Sequence, residues 1–431
     1  MILQKKNDEN KMKDICVFKM KRSNIDFNEL KDNIMTNKIV LSFDLDMEEI
    51  PVNEETKDLI CIGNKCQNKI KIQFTVREGC EKYQIRTNPK LINLKKGEAC
   101  EFEVFIKPLC SCQIEDQLII IALDIKEGKE IQIPIPINFK TQASTHLDYD
   151  ELIQEKKLGE GSFGIVYLGT FRGNKVAIKR MKQVNCSENG IIPTKKEDYI
   201  KAIDEFEKEV SMLDKFRCDY IIHFYGAVFI ETKICMVTEF AQHGSIQDLM
   251  NKLSGSNGIN NKMRVKLMAD AAKGIKYLHE NGILHRDIKP DNFLVITLEE
   301  NVNVNAKLTD FGSSRNVNMM MTNMTFTKGV GTPKYMAPEV LRKSHYKMPA
   351  DIFAFAVTMY EVFGWISAYP KSDFKFPWKI AEYITNGNRL PLDHLTPQLA
   401  NIIESSWNQE PSERLTINEI VEHLNKQLFE M

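Results

Sequence analysis

Residues 284–292 read Leu-His-Arg-Asp-Ile-Lys-Pro-Asp-Asn and bring acids, bases and an amide close together. The carboxylate of Asp287 could accept a proton from a hydroxyl group, and Lys289 could hold an anion beside it. Asp310, the first residue of an Asp-Phe-Gly triplet, follows Asn292 by eighteen residues. Carboxylate and amide oxygens are hard ligands of the kind that Mg²⁺ prefers. These residue types predict proton acceptance next to a metal-bound anion.

The spacing His-Arg-Asp-x-x-x-x-Asn, followed by Asp-Phe-Gly, resembles the catalytic and metal-binding loops of eukaryotic protein kinases. The resemblance implies that Asp287 accepts the proton of the attacked hydroxyl and that Lys289 lies near the transferred phosphoryl group. It also implies that Asn292 and Asp310 ligate Mg²⁺ and that ATP is the phosphoryl donor. The alternative interpretation is that the His-Arg-Asp and Asp-Phe-Gly triplets are two ordinary polar turns. Either triplet alone is weak evidence, but the two in this order and spacing favour a kinase.

A glycine-rich segment, Leu-Gly-Glu-Gly-Ser-Phe-Gly-Ile-Val, occupies residues 158–166. The pattern Gly-x-Gly-x-x-Gly could also belong to a dinucleotide-binding fold, but that fold needs a helix directly after the glycines. Here a second strand-like segment follows and ends in Val-Ala-Ile-Lys at Lys179, which predicts a hairpin. In kinases, which this hairpin resembles, the glycine loop covers the phosphates of ATP and the lysine grips them.

The same resemblance predicts the walls of the nucleotide site. Val166 and Ala177 would be small apolar walls for the adenine, and Thr238 would lie beside the base. Glu239 to Ala241 would offer backbone groups to it. The complete set of residues predicted to contact ATP is Leu158, Gly159, Glu160, Gly161, Ser162, Phe163, Gly164, Val166, Ala177, Lys179, Thr238, Glu239, Ala241 and Leu294.

Residues 200–217 are predicted to form a helix, and residues 183–199 before it are predicted to be a loop insertion. The apolar residues of the helix fall on one face. By resemblance to kinases, Glu209 pairs with Lys179. The alternative is that Glu209 belongs to a solvated acidic face together with its neighbours. The apolar face consists of Ile203, Phe206, Val210 and Leu213.

Residues 310–339 resemble the activation segment of kinases. Thr325 and Thr327 are the predicted phosphorylation sites, because they lie shortly before the Gly-Thr-Pro sequence that closes the segment. Arg286, directly before the catalytic aspartate, could bind such a phosphate with two hydrogen bonds. Alternatively, Arg286 only packs and bonds to the backbone.

Two further assignments carry over from the kinase family. Asp351 is expected to orient the catalytic loop, and Glu339 is expected to pair with Arg414. Lys289, followed by proline, and Thr332 favour serine and threonine substrates, because tyrosine kinases usually differ at these places. Details of the sequence resemble the tyrosine-kinase-like group of serine/threonine kinases, and dual specificity stays open.

Residues 38–140 show a different pattern, in which apolar and polar residues alternate with a period of two. Short strands separated by turn residues predict a β-sandwich. The order of features resembles the immunoglobulin-like sandwich of major-sperm-protein and related domains. Pro134 and Pro136 cannot donate to a strand ladder, so the last strand is predicted to lie at an edge. This domain could be a spacer or a docking module for a protein partner.

The flanking segments are polar. The polar composition of residues 1–37 predicts an arm that is disordered or forms a short helix near 28–35. Residues 141–151 lack periodicity and predict a linker, which leaves residues 152–431 for the kinase domain.

Composition excludes several classes of protein. The chain has 431 residues, 43% of them hydrophobic, and a net charge of -1, which argues against a nucleic-acid-binding surface. The longest apolar run, residues 118–123, is too short to span a membrane, and the N-terminus is charged rather than apolar. The ten cysteines predict reduced thiols in a cytoplasmic protein. A zinc site among them is the alternative, although no Cys-x-x-Cys pair exists.

These observations predict a multidomain α+β protein, with an all-β immunoglobulin-like sandwich preceding a two-lobed kinase fold. Its expected function is phosphorylation of serine and threonine in protein substrates, using ATP and Mg²⁺. A pseudokinase scaffold is the alternative from another class, but such a protein would normally have lost Lys179, Asp287 or Asp310.

Overall fold

The computed structural model describes residues 17–43, 49–76, 79–160, 164–181, 193–230, 232–254, 259–312, 314–316, 333–342, 344 and 347–431. The described residues form two compact units. The first lies within Met1–Ile153 and includes Gly226–Met236, and the second comprises Gln154–Tyr225 and Val237–Met431. Among the described residues, no helix is both long enough and apolar enough to cross a membrane.

The first unit contains two β-sheets that enclose one hydrophobic core. One sheet consists of β1 (Val17–Lys19), β2 (Asn28–Lys31), β3 (Ile34–Thr36), β5 (Thr56–Asn64), β7 (Tyr83–Asn88) and β9 (Glu98–Pro108). The other consists of β4 (Leu41–Ser42), β6 (Ile70–Thr75), β8 (Leu91–Leu94), β10 (Gln113–Asp124) and β11 (Glu130–Lys140).

The core of this unit follows from the period-two pattern. Ile133, Ile135 and Ile137 of β11 are buried, whereas the prolines between them are exposed. Because alternate residues of a strand face opposite sides of the sheet, one face of β11 enters the core and the other faces solvent. Residues from both sheets, including Phe102, contribute to this core. The predicted β-sandwich is confirmed.

Two expectations for this unit are wrong. Residues 17–36 are not an arm or a helix, because they contribute β1, β2 and β3 to the first sheet; residues 1–16 lie outside the described residues. Asp32 and Asn33 join β2 to β3 with φ angles of 49° and 63°, a left-handed conformation that Asp and Asn tolerate. β1 pairs with β9 and β3 pairs with β5, both distant in sequence, and β1 to β3 are only three or four residues long, so local periodicity gave little indication of them.

The last strand is also not the edge strand. β4 pairs with β11 in parallel at Ile137 and Asn138, and so β4 occupies the edge. Pro134 and Pro136 lie beyond this short pairing, which explains how β11 accommodates them without donating hydrogen bonds there.

The predicted linker is held by main-chain hydrogen bonds within the first unit. Ser111 N donates to His146 O at 2.8 Å, and Leu147 N donates to Ala227 O at 2.9 Å. A short 3-10 turn follows at Tyr149–Glu151.

A third sheet has five strands, three of which precede the first long helix in the chain and two of which follow it. Its strands are β12 (Leu152–Glu160), β13 (Gly164–Phe171), β14 (Asn174–Met181), β15 (Phe224–Val228) and β16 (Cys235–Glu239), in the order β12-β13-β14-β16-β15. The predicted hairpin is β13–β14. Helix α1 covers Pro193–Leu213, so it begins seven residues earlier than predicted. Proline is well suited to this first helical position because no intrahelical bond needs its N–H there.

The rest of the second unit is mainly helical. Its helices are α2 (Ile246–Lys252), α3 (Asn261–Glu280), α4 (Pro338–Leu341), α5 (Met348–Gly364), α6 (Pro377–Thr385), α7 (Pro397–Ser406) and α8 (Ile417–Glu430). Two small antiparallel ladders join β17 (Ile283–Leu284) to β20 (Arg315–Asn316) and β18 (Phe293–Val295) to β19 (Ala306–Leu308). Helix α5 is almost entirely buried, yet it contains the acids Asp351 and Glu361.

Candidate active site

The Lys179 ammonium and the Glu209 carboxylate form an ion pair between β14 and α1. Lys179 Nζ lies 3.1 Å from Oε1 and 3.2 Å from Oε2 of Glu209. Glu209 is buried on α1, whereas Glu205 and Glu207 are exposed. The structure therefore brings together the two residues that the sequence paired, and the solvated-face alternative describes only the neighbouring acids.

Burial and charge act in opposite directions on this pair. Burial alone lowers the pKa of Lys179, but the carboxylates of Glu209 and Asp310 outweigh it and raise the pKa above its usual value. Burial raises the pKa of Glu209, and Lys179 opposes that shift. A Cβ atom built on Gly312 would lie 3.6 Å from Asp310 Oδ1 and 3.8 Å from Glu209 Oε2, so the two acids flank the same backbone position.

Asp351 on α5 holds the backbone of the loop that carries Asp287. Its Oδ2 accepts a hydrogen bond from His285 N, and its Oδ1 accepts one from Arg286 N, both at 3.0 Å. Arg286 has a φ of 71°, an unfavourable left-handed conformation that these bonds stabilise. His279 Nε2 lies 3.0 Å from Asp351 Oδ2 and adds a third contact.

Three polar side chains converge within the catalytic loop. Lys289 Nζ lies 2.6 Å from Asp287 Oδ2, and Asn292 Nδ2 donates to the same oxygen at 2.9 Å. Asn292 Nδ2 also donates to the Asp287 carbonyl at 2.6 Å. Because Asp287 Oδ2 accepts both bonds, the carboxylate is held in a fixed orientation while a quarter of its side chain stays accessible.

His285 connects this loop to the segment that precedes Asp310. Its Nε2 donates to the Thr309 carbonyl at 2.9 Å, and its Nδ1 accepts from Asp287 N at 3.3 Å. This pattern assigns one tautomer to the ring. Thr309 N in turn donates to the Asn292 carbonyl at 2.9 Å.

Asp310 has a φ of 61°, a second left-handed residue in the same region. The following Phe311 is buried and packs edge-on against His285 and Phe216, with centroids 5.4 and 5.0 Å away. The buried phenylalanine anchors the triplet, so strain at Asp310 is compensated by packing next to it.

The described residues of the predicted nucleotide site lie on the surrounding strands. Leu158, Gly159 and Glu160 end β12, Val166 lies on β13, and Ala177 lies on β14. A Cβ atom on Gly164 would lie only 2.2 Å from the Arg180 carbonyl oxygen, so this position requires glycine. Gly161, Ser162 and Phe163 lie outside the described residues.

Other residues of the predicted nucleotide site lie on or near β16 and β18. Thr238 and Glu239 end β16, and Leu294 of β18 forms a bridge to Ser245. Glu239 Oε1 contacts Lys307 Nζ at 2.6 Å, which ties the end of β16 to β19. Ala241 is buried shortly after β16.

Glu361, which the sequence analysis missed, is a buried acid that binds three groups. Its Oε1 lies 2.8 Å from Lys334 Nζ and 2.8 Å from Ala368 N, and its Oε2 accepts from Tyr335 OH at 2.6 Å. The available indication was an acid surrounded by apolar residues near the end of α5.

His279 was also missed, and nothing in its sequence context points to Asp351. The predicted pair of Glu339 with Arg414 is present, with two parallel contacts of 2.7 Å. Thr325, Thr327 and Thr332 lie outside the described residues.

Asn292 and Asp310 offer the hard oxygen ligands that Mg²⁺ requires. The amide nitrogen of Asn292 is committed to Asp287, which leaves its amide oxygen as the atom that could bind a cation. The oxygen atoms of Asn292 and Asp310 therefore fit a Mg²⁺ ion. Among the described residues, no group of three or more His, Cys, Asp or Glu side chains is arranged so that it could hold a metal ion.

Residues 152–424, more than half of the chain, match the family model described as the protein kinase domain. The chain belongs to the protein kinase family. A kinase domain implies ATP as its substrate, in agreement with the predicted nucleotide site.

The relatives of this kinase include proteins from amoebae and plants. It is 31% identical over 353 residues to the probable serine/threonine-protein kinase gdt9 of Dictyostelium discoideum, covering 75% of this chain and 21% of that protein. It is 32% identical over 287 residues to the serine/threonine-protein kinase STY17 of Arabidopsis thaliana, covering 66% of this chain and 46% of that protein. It is also 32% identical over 270 residues to the dual specificity protein kinase shkB of Dictyostelium discoideum, covering 62% of this chain and 38% of that protein. The kinase thus spans less than half the length of these relatives.

Proposed function

We propose that this protein is a serine/threonine kinase that transfers the γ-phosphoryl group of ATP to hydroxyl groups of protein substrates. The observation that carries the proposal is the orientation of Asp287, whose Oδ2 is held by both Lys289 and Asn292. Phosphoryl transfer depends mainly on positioning and charge neutralisation, and this loop provides both.

Each residue of the site has a defined task. Asp287 accepts the proton of the substrate hydroxyl, and Lys289 stabilises negative charge at the transferred group. Lys179, oriented by Glu209, holds the α- and β-phosphates. Asn292 and Asp310 would hold Mg²⁺, which when bound neutralises phosphate charge.

The adenine would lie between the strands of the nucleotide site. Val166, Ala177 and Leu294 provide apolar contacts, and the backbone from Glu239 to Ala241 provides hydrogen bonds. The glycine-rich segment from Leu158 to Gly164 would cover the phosphates with its N–H groups.

Substrate specificity is proposed from residues of the catalytic loop. Lys289, followed by Pro290, favours serine and threonine as the phosphorylated residues. The relatives gdt9 and STY17 are also named serine/threonine-protein kinases. Dual specificity is the second candidate, because the relative shkB carries that name. A pseudokinase scaffold is disfavoured because Lys179, Asp287 and Asp310 are all retained.

The sandwich is proposed to be a docking module for a protein partner, and the whole protein is proposed to act in cytoplasmic signalling. The proposed domain limits are a sandwich that extends to residue 140, a linker over residues 141–151, and a kinase domain over residues 152–431.

Incubation of the purified chain with Mg-ATP, followed by phosphoamino-acid analysis and site mapping, tests the proposed activity. We expect the parent chain to yield phosphoserine and phosphothreonine. The Asp287→Asn variant should yield neither. Phosphotyrosine in addition would support dual specificity, and incorporation that persists in Asp287→Asn would contradict the mechanism.

A further inference from the structure

Five segments of the chain meet at one end of the β-sandwich in the first unit. Each begins at or directly after the last residue of a strand, namely β1, β2, β5, β8 or β10. The chain leaves for residues 141–151 at the opposite end, because Lys140, the last residue of β11, pairs with Gln113, the first residue of β10. We call the five segments the basic end, which comprises residues 19–22, 31–33, 64–69, 95–98 and 124–129.

Main-chain hydrogen bonds hold the five segments together. Residues 64–69 bond directly to three of the other segments, and residues 95–98 bond to the fourth. These bonds run from Gly97 N to Asn64 O (2.7 Å), from Lys65 N to Asn33 O (2.9 Å), from Ile125 N to Lys69 O (3.1 Å) and from Met20 N to Gly97 O (3.1 Å). Asn64 is buried, and its Nδ2 donates to the carbonyls of Asn68 and Leu94. The basic end is therefore one continuous surface with a fixed backbone.

The side chains of the basic end are mostly cationic. Ten exposed lysines and arginines lie there against four acids, although the whole chain has a net charge of -1. The cations are Lys19, Lys21, Arg22, Lys31, Lys65, Lys69, Lys95, Lys96, Lys126 and Lys129. The acids are Asp32, Glu98, Asp124 and Glu127. Such a concentration of one sign of charge on one end of a domain attracts an anionic partner.

Two of the four acids are used within the basic end itself. The carboxylate of Glu98 lies 3.0 Å from Lys19 Nζ and accepts a hydrogen bond from Lys95 N at 2.8 Å. The carboxylate of Asp124 accepts a hydrogen bond from Glu127 N at 3.0 Å. These acids stabilise the turns to which they belong, so they do little to neutralise the remaining lysines.

Most of the cations are available to a partner. Lys19 pairs with Glu98, and Lys96 Nζ donates to Gln67 Oε1 at 2.7 Å. Within the part of the chain that the structure describes, the other eight side chains make no hydrogen bond or ion pair. Because these eight are spread over all five segments, they suit a broad anionic surface better than a single narrow ligand.

An apolar side chain lies among these cations. Ile125 is 49% exposed and directly precedes Lys126. No residue of the five segments is aromatic, whereas proteins that bind single-stranded nucleic acid stack bases on aromatic side chains. Lysines around an exposed apolar residue suit a membrane surface, where cations meet anionic headgroups and the apolar group reaches the boundary with the acyl chains.

We infer that the basic end of the sandwich binds the surface of a membrane that contains anionic lipids. The cations contact the headgroups, and Ile125 enters the interface between headgroups and acyl chains. Residues 141–151 then lie at the end of the sandwich away from the lipid. The inference adds a membrane contact to the docking role proposed for the sandwich, and it does not depend on kinase activity.

Cosedimentation of the full chain with lipid vesicles tests the inference. The parent chain should bind phosphatidylcholine vesicles that contain about 30% phosphatidylserine, and it should not bind vesicles of phosphatidylcholine alone. The attraction is worth about fivefold in binding for each cation near the surface. The quadruple variant Lys95→Gln, Lys96→Gln, Lys126→Gln, Lys129→Gln should therefore bind the anionic vesicles about 10²-fold more weakly or less.

A matched control removes the same charge elsewhere. Lys252→Gln, Lys262→Gln, Lys347→Gln, Lys426→Gln changes four exposed lysines of the second unit and should bind like the parent. Circular dichroism of both quadruple variants should show the parental thermal transition, which separates a loss of binding from unfolding.

A single variant tests the apolar contact. Ile125→Ser should weaken vesicle binding about fivefold, because the isoleucine side chain no longer leaves water on binding. This loss should persist at a salt concentration that screens the lysines, whereas the effect of the quadruple variant of the basic end should shrink there.

Three outcomes would overturn the inference. The first is equal binding to vesicles with and without phosphatidylserine, and the second is unchanged binding in the quadruple variant of the basic end. The third is a parent chain that binds a short DNA duplex but not the anionic vesicles, which would assign the surface to nucleic acid. Because vesicle binding is measured without ATP, an inactive kinase would refute the proposed activity and leave this result unaffected.

Discussion

The ammonium of Lys179 lies 3.1 Å from the Glu209 carboxylate, joining a strand to a helix that begins twelve residues after that strand ends. If this pair orients Lys179 toward the phosphates of ATP, both Lys179→Met and Glu209→Ala should lower kcat/KM by about 10²-fold or more without unfolding the chain. Steady-state kinetics with a peptide substrate measures the loss, and circular dichroism checks the fold. Glu205→Ala is the matched control, since Glu205 is exposed on the same helix. Loss of activity in the control but not in Glu209→Ala would refute the pairing as a catalytic element.

Asp287→Asn should abolish most phosphoryl transfer while ATP still binds. The carboxylate that accepts the proton becomes a neutral amide, and a general base contributes about 10²- to 10⁴-fold to the rate. Single-turnover kinetics measures the chemical step, and titration with a fluorescent ATP analogue measures binding. Near-parental turnover would remove Asp287 from the mechanism.

Phosphorylation of Thr325 or Thr327 should activate the protein, a prediction that comes from the sequence alone. A phosphate carries nearly two negative charges and could bind Arg286 with two hydrogen bonds. Dephosphorylated protein should show low activity that rises after preincubation with Mg-ATP. The double variant Thr325→Ala, Thr327→Ala should stay at the low level, and full activity without a lag in that variant would contradict the prediction.

The sandwich should fold as an isolated fragment of residues 1–145. All of its buried core residues lie between Ile34 and Phe139, so the fragment retains the whole hydrophobic core. Circular dichroism with reductant and chelator should show a β spectrum and a cooperative thermal transition. A disordered spectrum would mean that residues after 145, such as Leu147 with its hydrogen bond to Ala227, are required for folding.

Gly226→Ala should destabilise the full chain by about 1–3 kcal/mol, the range for strained backbone. Gly226 has a φ of 150°, and a Cβ atom there would lie 2.3 Å from the Thr145 carbonyl oxygen. A lower Tm in thermal unfolding checks this. Gly128→Ala is the control: its φ is 68°, but no atom lies within 4 Å of the added Cβ, so it reports backbone strain without collision. Equal effects of the two variants would rule out the steric contribution of Thr145.

Much of the site could be predicted because its residues lie close together in sequence. Asp287, Lys289 and Asn292 fall within six residues, so the local loop alone brings them into contact. The period-two pattern of β11 likewise determined which face is buried, because alternation is a property of the strand itself.

Tertiary structure decided the features that depend on distant partners. Glu361 finds Lys334 and Tyr335 on a distant 3-10 turn, and His279 meets Asp351 only when α3 packs against α5. Sequence spacing therefore could not indicate these contacts. Strands β1 to β3 are short, and the sheet is completed by pairing β1 with β9 and β3 with β5, both far along the chain. The free energy that stabilises such strands comes from long-range pairing and burial rather than from local preference, which is why the sequence left residues 17–36 as an arm.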